Sequence, residues 1–157
     1  LTQNIKKGFE EYINNPYLKN EIETNYEMLK IDISELDAEL KLIADNAENK
    51  TIVVSSDLFL FLEKYEFNVI SLQEDKITDK KIAEVKDLIN KKKIDYIFIK
   101  PDEKLNQTIN SFVKDYKLET LTYKTAVNLL EEERYEKINF IDIMNYNIDL
   151  LKRELYQ

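Results

Sequence analysis

Apolar residues change their spacing once along this chain, near Asn49. Before that point they follow a helical period. A short amphipathic piece, Ile5 to Ile13, stops before Pro16. A long stretch then begins at Tyr17, with apolar residues Ile22, Tyr26, Leu29, Ile33, Leu36, Leu40 and Ile43. Their separations alternate between four and three, which places them on one stripe of a helix. Tyr17 to Asp45 would span roughly 43 Å at the helical rise. A stripe of only three heptads favours packing along a globular body over a coiled-coil seam.

After Asn49 the pattern shortens. Four β-rich runs are expected at Thr51–Ser55, Asn68–Leu72, Tyr96–Lys100 and Leu118–Thr122. Helical patterns separate them. Asp57 to Tyr65 carries Leu58, Phe61 and Leu62. Thr78 to Lys92 carries Ile82, Val85, Leu88 and Ile89, with Thr78 as its expected N-cap. Glu103 to Tyr116 carries Leu105, Ile109, Phe112 and Val113, with Asp102 as its expected cap. A closing helix carries Ile141, Met144, Ile148, Leu151 and Leu155. Alternating strands and helices imply right-handed crossovers and a parallel sheet. The runs IVV and YIFI are almost wholly apolar, as strands covered on both faces should be. The fold class is therefore α/β: a long N-terminal helix, then a four-stranded parallel sheet flanked by helices. Residues 1–49 form a helical region and 50–157 an α/β lobe.

Composition narrows the chemistry. The 157 residues contain no Cys, His or Trp, and Gly8 is the single glycine. Imidazole and thiolate ligands or nucleophiles are excluded. So are Walker A and G-x-G-x-x-G phosphate cradles, which need several glycines. The balance of 23 basic and 31 acidic residues gives a net charge of −8. That charge argues against nucleic acid and anionic membrane surfaces as partners. No apolar run is long enough to span a bilayer. The chain opens on Leu1 without a signal segment, so a trimmed or partial product is expected. The triplet Glu131–Glu133 reads as a solvated turn or helix start. Asp142 and Asp149, seven apart on the closing helix, have the spacing of an ordinary polar face.

Open parallel sheets bind ligands beyond the carboxyl ends of their strands. Those ends are Ser55-Ser56-Asp57, Ser71 with Gln73, Lys100-Pro101-Asp102 and Tyr123-Lys124-Thr125. A Lys-Pro pair closing a strand also occurs in phosphoryl-accepting receiver domains. Those need an acidic pair after the first strand and a phosphoacceptor Asp, and neither is present. A Ser56–Lys100 hydrolytic pair would require a desolvated, neutral lysine. A helix-capping Ser56 and a solvated Lys100 are the plainer reading. No catalytic group emerges, and no enzyme is expected.

Several strings, in order, resemble one family. Asn14-Asn15-Pro16 and the stretch to Ser34-Glu35-Leu36-Asp37 are similar to a long interlobe helix. VVSSDLFLFLEKYEFNVISL (Val53–Leu72) resembles a strand, ligand, helix and strand passage. IDYIFIKPDEKLNQTINSF (Ile94–Phe112) resembles a strand closed by Phe-x-Glu. FIDIMNYNIDLLKREL (Phe140–Leu155) resembles a closing helix with Met144, Asn147 and Leu151 in its Met-x-x-Asn-x-x-x-Leu pattern. The family is that of the extracytoplasmic zinc- and manganese-binding (TroA-like) solute-binding proteins of bacterial ABC importers, and the match is to its second half. The resemblance implies an ABC permease and a first lobe as partners, and an extracytoplasmic, lipid-anchored location in the full-length protein.

The departures are as informative. Where the family usually places His or Glu, this chain has Ser56. Where a Glu often closes the third strand it has Lys100. Where an Asp often follows the fourth, the best match is Lys124. The remaining family ligands, commonly His, belong to the first lobe. One hydroxyl and two ammonium groups cannot supply the donors a transition ion requires. No metal or other cofactor is therefore expected at the family position. Ser56, Lys100 and Lys124 would instead converge near helix N-termini, where an anion such as a carboxylate or phosphate is favoured. The plainer alternative leaves both lysines in water or paired with Asp57 and Asp102. A structural or adhesive module acting through protein contacts, including self-association, is the second functional expectation.

Overall fold

The structure, a computed structural model, describes residues 2–125 and 131–156. It divides into two compact units, Leu1–Ala38 and Glu39–Gln157, and the division falls within the long helix.

The first unit holds helix α1 (Thr2–Tyr12) and the N-terminal part of α2 (Pro16–Asn46). Pro16 opens α2, where its missing N–H costs nothing. The Asn15 side chain accepts from the Tyr17 amide at 2.9 Å. Lys6 of α1 pairs with Glu23 of α2 and lies 4.7 Å above the Tyr26 ring. Ile5, Phe9, Ile22, Tyr26 and Leu29 line a cavity of about 330 Å³. Half of the surface of both Ile5 and Phe9 remains exposed, at 50% and 52%.

The second unit is built on strands β1 (Thr51–Val54), β2 (Asn68–Ser71), β3 (Tyr96–Ile99) and β4 (Glu119–Thr122), in the order β2-β1-β3-β4. All three pairings are parallel, with Val53 opposite Ile70 and Ile97, and Phe98 opposite Leu121. Strand residues alternate between faces. Val53, Ile70 and Ile97 enter a core with Val85 of α3 (Asp79–Asn90) and with Ile109 and Phe112 of α4 (Gln107–Tyr116). Ile52, Val54 and Phe98 are turned to the opposite face and are equally buried. α5 (Glu131–Tyr135) and α6 (Phe140–Leu155) complete the unit. α6 carries an Asn139–Asp142 capping box. Asn147, midway along α6, bonds to the exit of β4, and Glu154 near its end bonds to the Asp95 amide just before β3. α6 therefore runs against the strand direction.

Asp57–Tyr65 is helical as expected, in 3₁₀ form, and is capped by Ser56. Other local expectations are corrected. α4 begins at Gln107, and its cap is Asn106, whose side chain accepts from Ile109 N at 3.0 Å. Asp102 adopts φ 53° and turns the chain, leaving Glu103 outside the helix. Thr78 caps α3 as expected, accepting from Lys81 N. Glu131–Glu133 does start a helix, but Glu133 is buried rather than solvated.

Candidate functional site at the strand mouths

Strand order sets where a site can form. From β1 the chain crosses to β2 on one side, and from β3 it crosses to β4 on the other. The reversal lies between β1 and β3, and a crevice opens at such a point. The Ser55 amide donates to Phe98 O at 2.8 Å and holds the two exits together.

At the exit of β1, Ser56 is buried. Its hydroxyl oxygen accepts from Leu58 N at 3.3 Å, and its hydroxyl lies 3.4 Å from Gln73 Oε1. Gln73 Oε1 also accepts from Asp57 N at 3.0 Å, which joins the exits of β1 and β2. Asp57 pairs with Lys76. Hydrogen bonds from Lys76 first, and from Ser71, hold the Asp57 carboxyl below the usual range, and the same contact raises the Lys76 ammonium.

At the exit of β3, Glu103 Oε2 accepts from Ser55 Oγ at 2.5 Å and from Lys100 N at 2.9 Å. Its other oxygen lies 3.6 Å from Lys100 Nζ. At the exit of β4, the Lys124 ammonium pairs with Glu133 and sits 5.0 Å over the Tyr146 ring. The Lys124 backbone is clamped by Asn147, which accepts from its N–H and donates to its carbonyl, each at 2.8 Å. Tyr123 is buried among the rings of Phe59, Phe61 and Phe98 at 5.3 to 6.4 Å. Burial pushes its phenol far above the usual value.

Ser56, Lys100 and Lys124 therefore each have a local partner. Ser56 is engaged with Leu58 and Gln73, Lys100 with Glu103, and Lys124 with Glu133 and Asn147. The lysine partners are Glu103 and Glu133 rather than Asp57 and Asp102. Ser56 Oγ and Lys100 Nζ have separate partners, which leaves the hydrolytic pair without support. Among the described residues, no three His, Cys, Asp or Glu side chains gather closely enough to hold a metal ion. Asp57, Glu103 and Glu133 lie on separate exits, each beside its own lysine.

The family model for ZnuA, the periplasmic component A of zinc-uptake complexes, matches residues 1–154. The chain belongs to that family. No curated protein matches it in sequence. Among solved structures, the metal-dependent lipoprotein YcdH of Bacillus subtilis superposes with a TM-score of 0.74 at 20% identity, over 99% of this chain and 59% of its own. The zinc-bound ZnuA-like domain of Streptococcus pneumoniae AdcA gives 0.67 at 22%, over 99% and 59%. The laminin-binding protein Lbp of Streptococcus pyogenes gives 0.63 at 14%, over 97% and 58%. The chain thus spans about three-fifths of the length of these structures, and they establish its α/β fold. No helix among its described residues is long and apolar enough to cross a membrane.

The sequence places Gln73 at a strand exit and Asn147 in the closing-helix pattern, and gives neither a partner. It marks Glu103 as helix and Glu133 as part of a solvated turn or helix start, and so misses both glutamates of this ZnuA-family mouth. No spacing rule marks either glutamate, because both pairings depend on how the loops fold back.

Proposed function

We propose that this chain is the C-terminal lobe of an extracytoplasmic solute-binding protein of a metal-importing ABC transporter, in a member whose family metal position no longer coordinates a transition ion. One observation carries the reading. The three positions matched to family ligands hold a hydroxyl oxygen engaged at a helix cap and two ammonium groups already matched by carboxylates. Zinc bonds to thiolate, imidazole or carboxylate, and manganese favours carboxylate-rich oxygen sets. A lysine beside each carboxylate competes for the same lone pairs and adds repulsion to any arriving cation. In this reading the lobe supplies one wall of a cleft, a first lobe supplies the other, and the pair addresses a permease. The surroundings are extracytoplasmic, and the intact protein is lipid-anchored.

Thermal melting with zinc or manganese tests this reading. A ligand that binds only the folded state raises the melting temperature by mass action. The expected result is the same melt with zinc, manganese or magnesium at equal ionic strength. A rise that saturates near one equivalent of zinc or manganese would contradict the proposal.

The first unit favours a second reading, a module that works through protein contacts. Ile5, Phe9, Tyr12, Tyr17 and Ile31 are all exposed there, at 50% to 81%. One of the superposable structures is, by its description, a laminin-binding protein. Light scattering over a concentration series separates the readings. The solute-binding lobe is expected to remain monomeric, and a concentration-dependent dimer would favour the contact module.

A further inference from the structure

Glu103 is held more closely than a surface glutamate needs to be. Its side chain is only 17% exposed, and its carboxylate meets three donors at the β1–β3 reversal. Ser55 Oγ, from a residue only 3% exposed, donates at 2.5 Å. The Lys100 amide donates at 2.9 Å to the same oxygen, and the Lys100 ammonium stands 3.6 Å from the other. Hydrogen bonds to an ionised acceptor are stronger than neutral ones. The donors also precede the acceptor structurally. Ser55 is fixed by its own amide bond to Phe98 O, and Lys100 directly follows β3. Glu103, by contrast, comes from a connection of irregular backbone between the Asp102 turn and the Asn106 cap. The Ser55 hydroxyl and the Lys100 amide are thus set by the sheet, and the carboxylate is delivered by a loop.

We propose that Ser55 Oγ, the Lys100 amide and the Lys100 ammonium form a carboxylate-binding seat, and that Glu103 is its exchangeable resident. The ligand class is a small monocarboxylate presenting two oxygens to one hydroxyl, one amide and one cation. Tethering gives Glu103 a high effective concentration, so it excludes dilute external carboxylates while it is present. Removing the side chain uncovers the seat and leaves a buried hydroxyl without its acceptor, which costs stability until another carboxylate enters. The idea does not rest on the fate of the metal position. A zinc titration could fail or succeed without moving it.

Chemical rescue tests the seat. Glu103→Ala is expected to melt about 3–6 °C below the wild type. Sodium acetate or formate at roughly 0.2 M should recover half or more of that loss by mass action, and sodium chloride at the same ionic strength should not. The wild type should respond equally to acetate and chloride. Adding Ser55→Ala to Glu103→Ala should abolish the rescue, because the buried donor is gone. Should Glu103→Ala show no cooperative melt, the readout is whether acetate restores one, and Glu103→Ser provides a second open seat with a smaller packing defect. Equal responses to acetate and chloride in both Glu103 variants would overturn the proposal, as would a Glu103→Ala melt identical to the wild type.

Discussion

Replacing Asn147 by Ala should destabilise the protein by about 2–4 kcal/mol, since it deletes two buried hydrogen bonds and leaves their backbone partners unsatisfied. The side chain is fully buried, and it both accepts from the Lys124 amide and donates to the Lys124 carbonyl at 2.8 Å. A strand would satisfy those two groups through a ladder, but the ladder to β3 has ended one residue earlier, with the bond from the Tyr123 amide to the Ile99 carbonyl. Asn147 replaces the missing partner from a neighbouring helix. The melting temperature should fall by roughly 5–15 °C. Asn147→Asp keeps the acceptor for the amide but turns the donor into a second acceptor facing the carbonyl. It should therefore fail to restore stability at neutral pH. A variant that melts within a degree or so of the wild type would show that water satisfies the Lys124 backbone equally well.

The second large effect depends on pH. Glu154 is 5% exposed, at the far end of α6 from Asn147, and its Oε2 accepts from the Asp95 amide at 3.3 Å. Desolvation raises its carboxyl from 4.5 to about 8, despite the opposing pull of the backbone amides of Asp95 and Tyr96. The sign follows from linkage. Between pH 4.5 and 8 the folded chain holds a proton here that the unfolded chain has released, so stability falls as pH rises through that window and levels off above it. Each pH unit costs at most about 1.4 kcal/mol. Glu154→Gln keeps the shape and cannot ionise. At pH 5 it should be within about 1 kcal/mol of the wild type. By pH 8 it should be more stable by about 2–4 kcal/mol. Urea denaturation of both proteins at pH 5, 6.5 and 8 reads the difference. A constant gap across the three would mean that Glu154 does not carry the dependence.

Much of the fold was legible because its signals are local. The all-apolar runs around Val53 and Ile97 marked doubly covered strands, and Thr78 marked the start of α3. Loop geometry was less legible for a physical reason. Helix ends and turns are usually announced by glycine, which enters the left-handed region at no steric cost. This chain has one glycine, inside α1, and the left-handed positions among its described residues are Glu66, Lys92, Asp102, Lys117 and Lys137. Charged residues at such positions look like ordinary helix surface. That is why the pattern offers Asp102 as a cap and Glu103 as the first turn of a helix. The same property hides the partners at the mouth. Ser56, Lys100 and Lys124 follow strands that the sequence marks, but their partners come from folded-back loops and from α5 and α6. Glu133 sits in a run of three acidic residues that would normally face water, yet it is buried against Lys124. A net charge of −8 says nothing of how Lys76, Lys100 and Lys124 are matched, one carboxylate apiece.

Crystals grown in excess zinc, with diffraction recorded at the zinc absorption edge, give the most direct test of whether these exits have lost coordination. Ser56, Glu103 and Glu133 are each engaged by a neighbour in the same chain, so the anomalous difference map should be featureless around them. A strong peak bonded to any two of those side chains at about 2.0–2.2 Å would contradict the account.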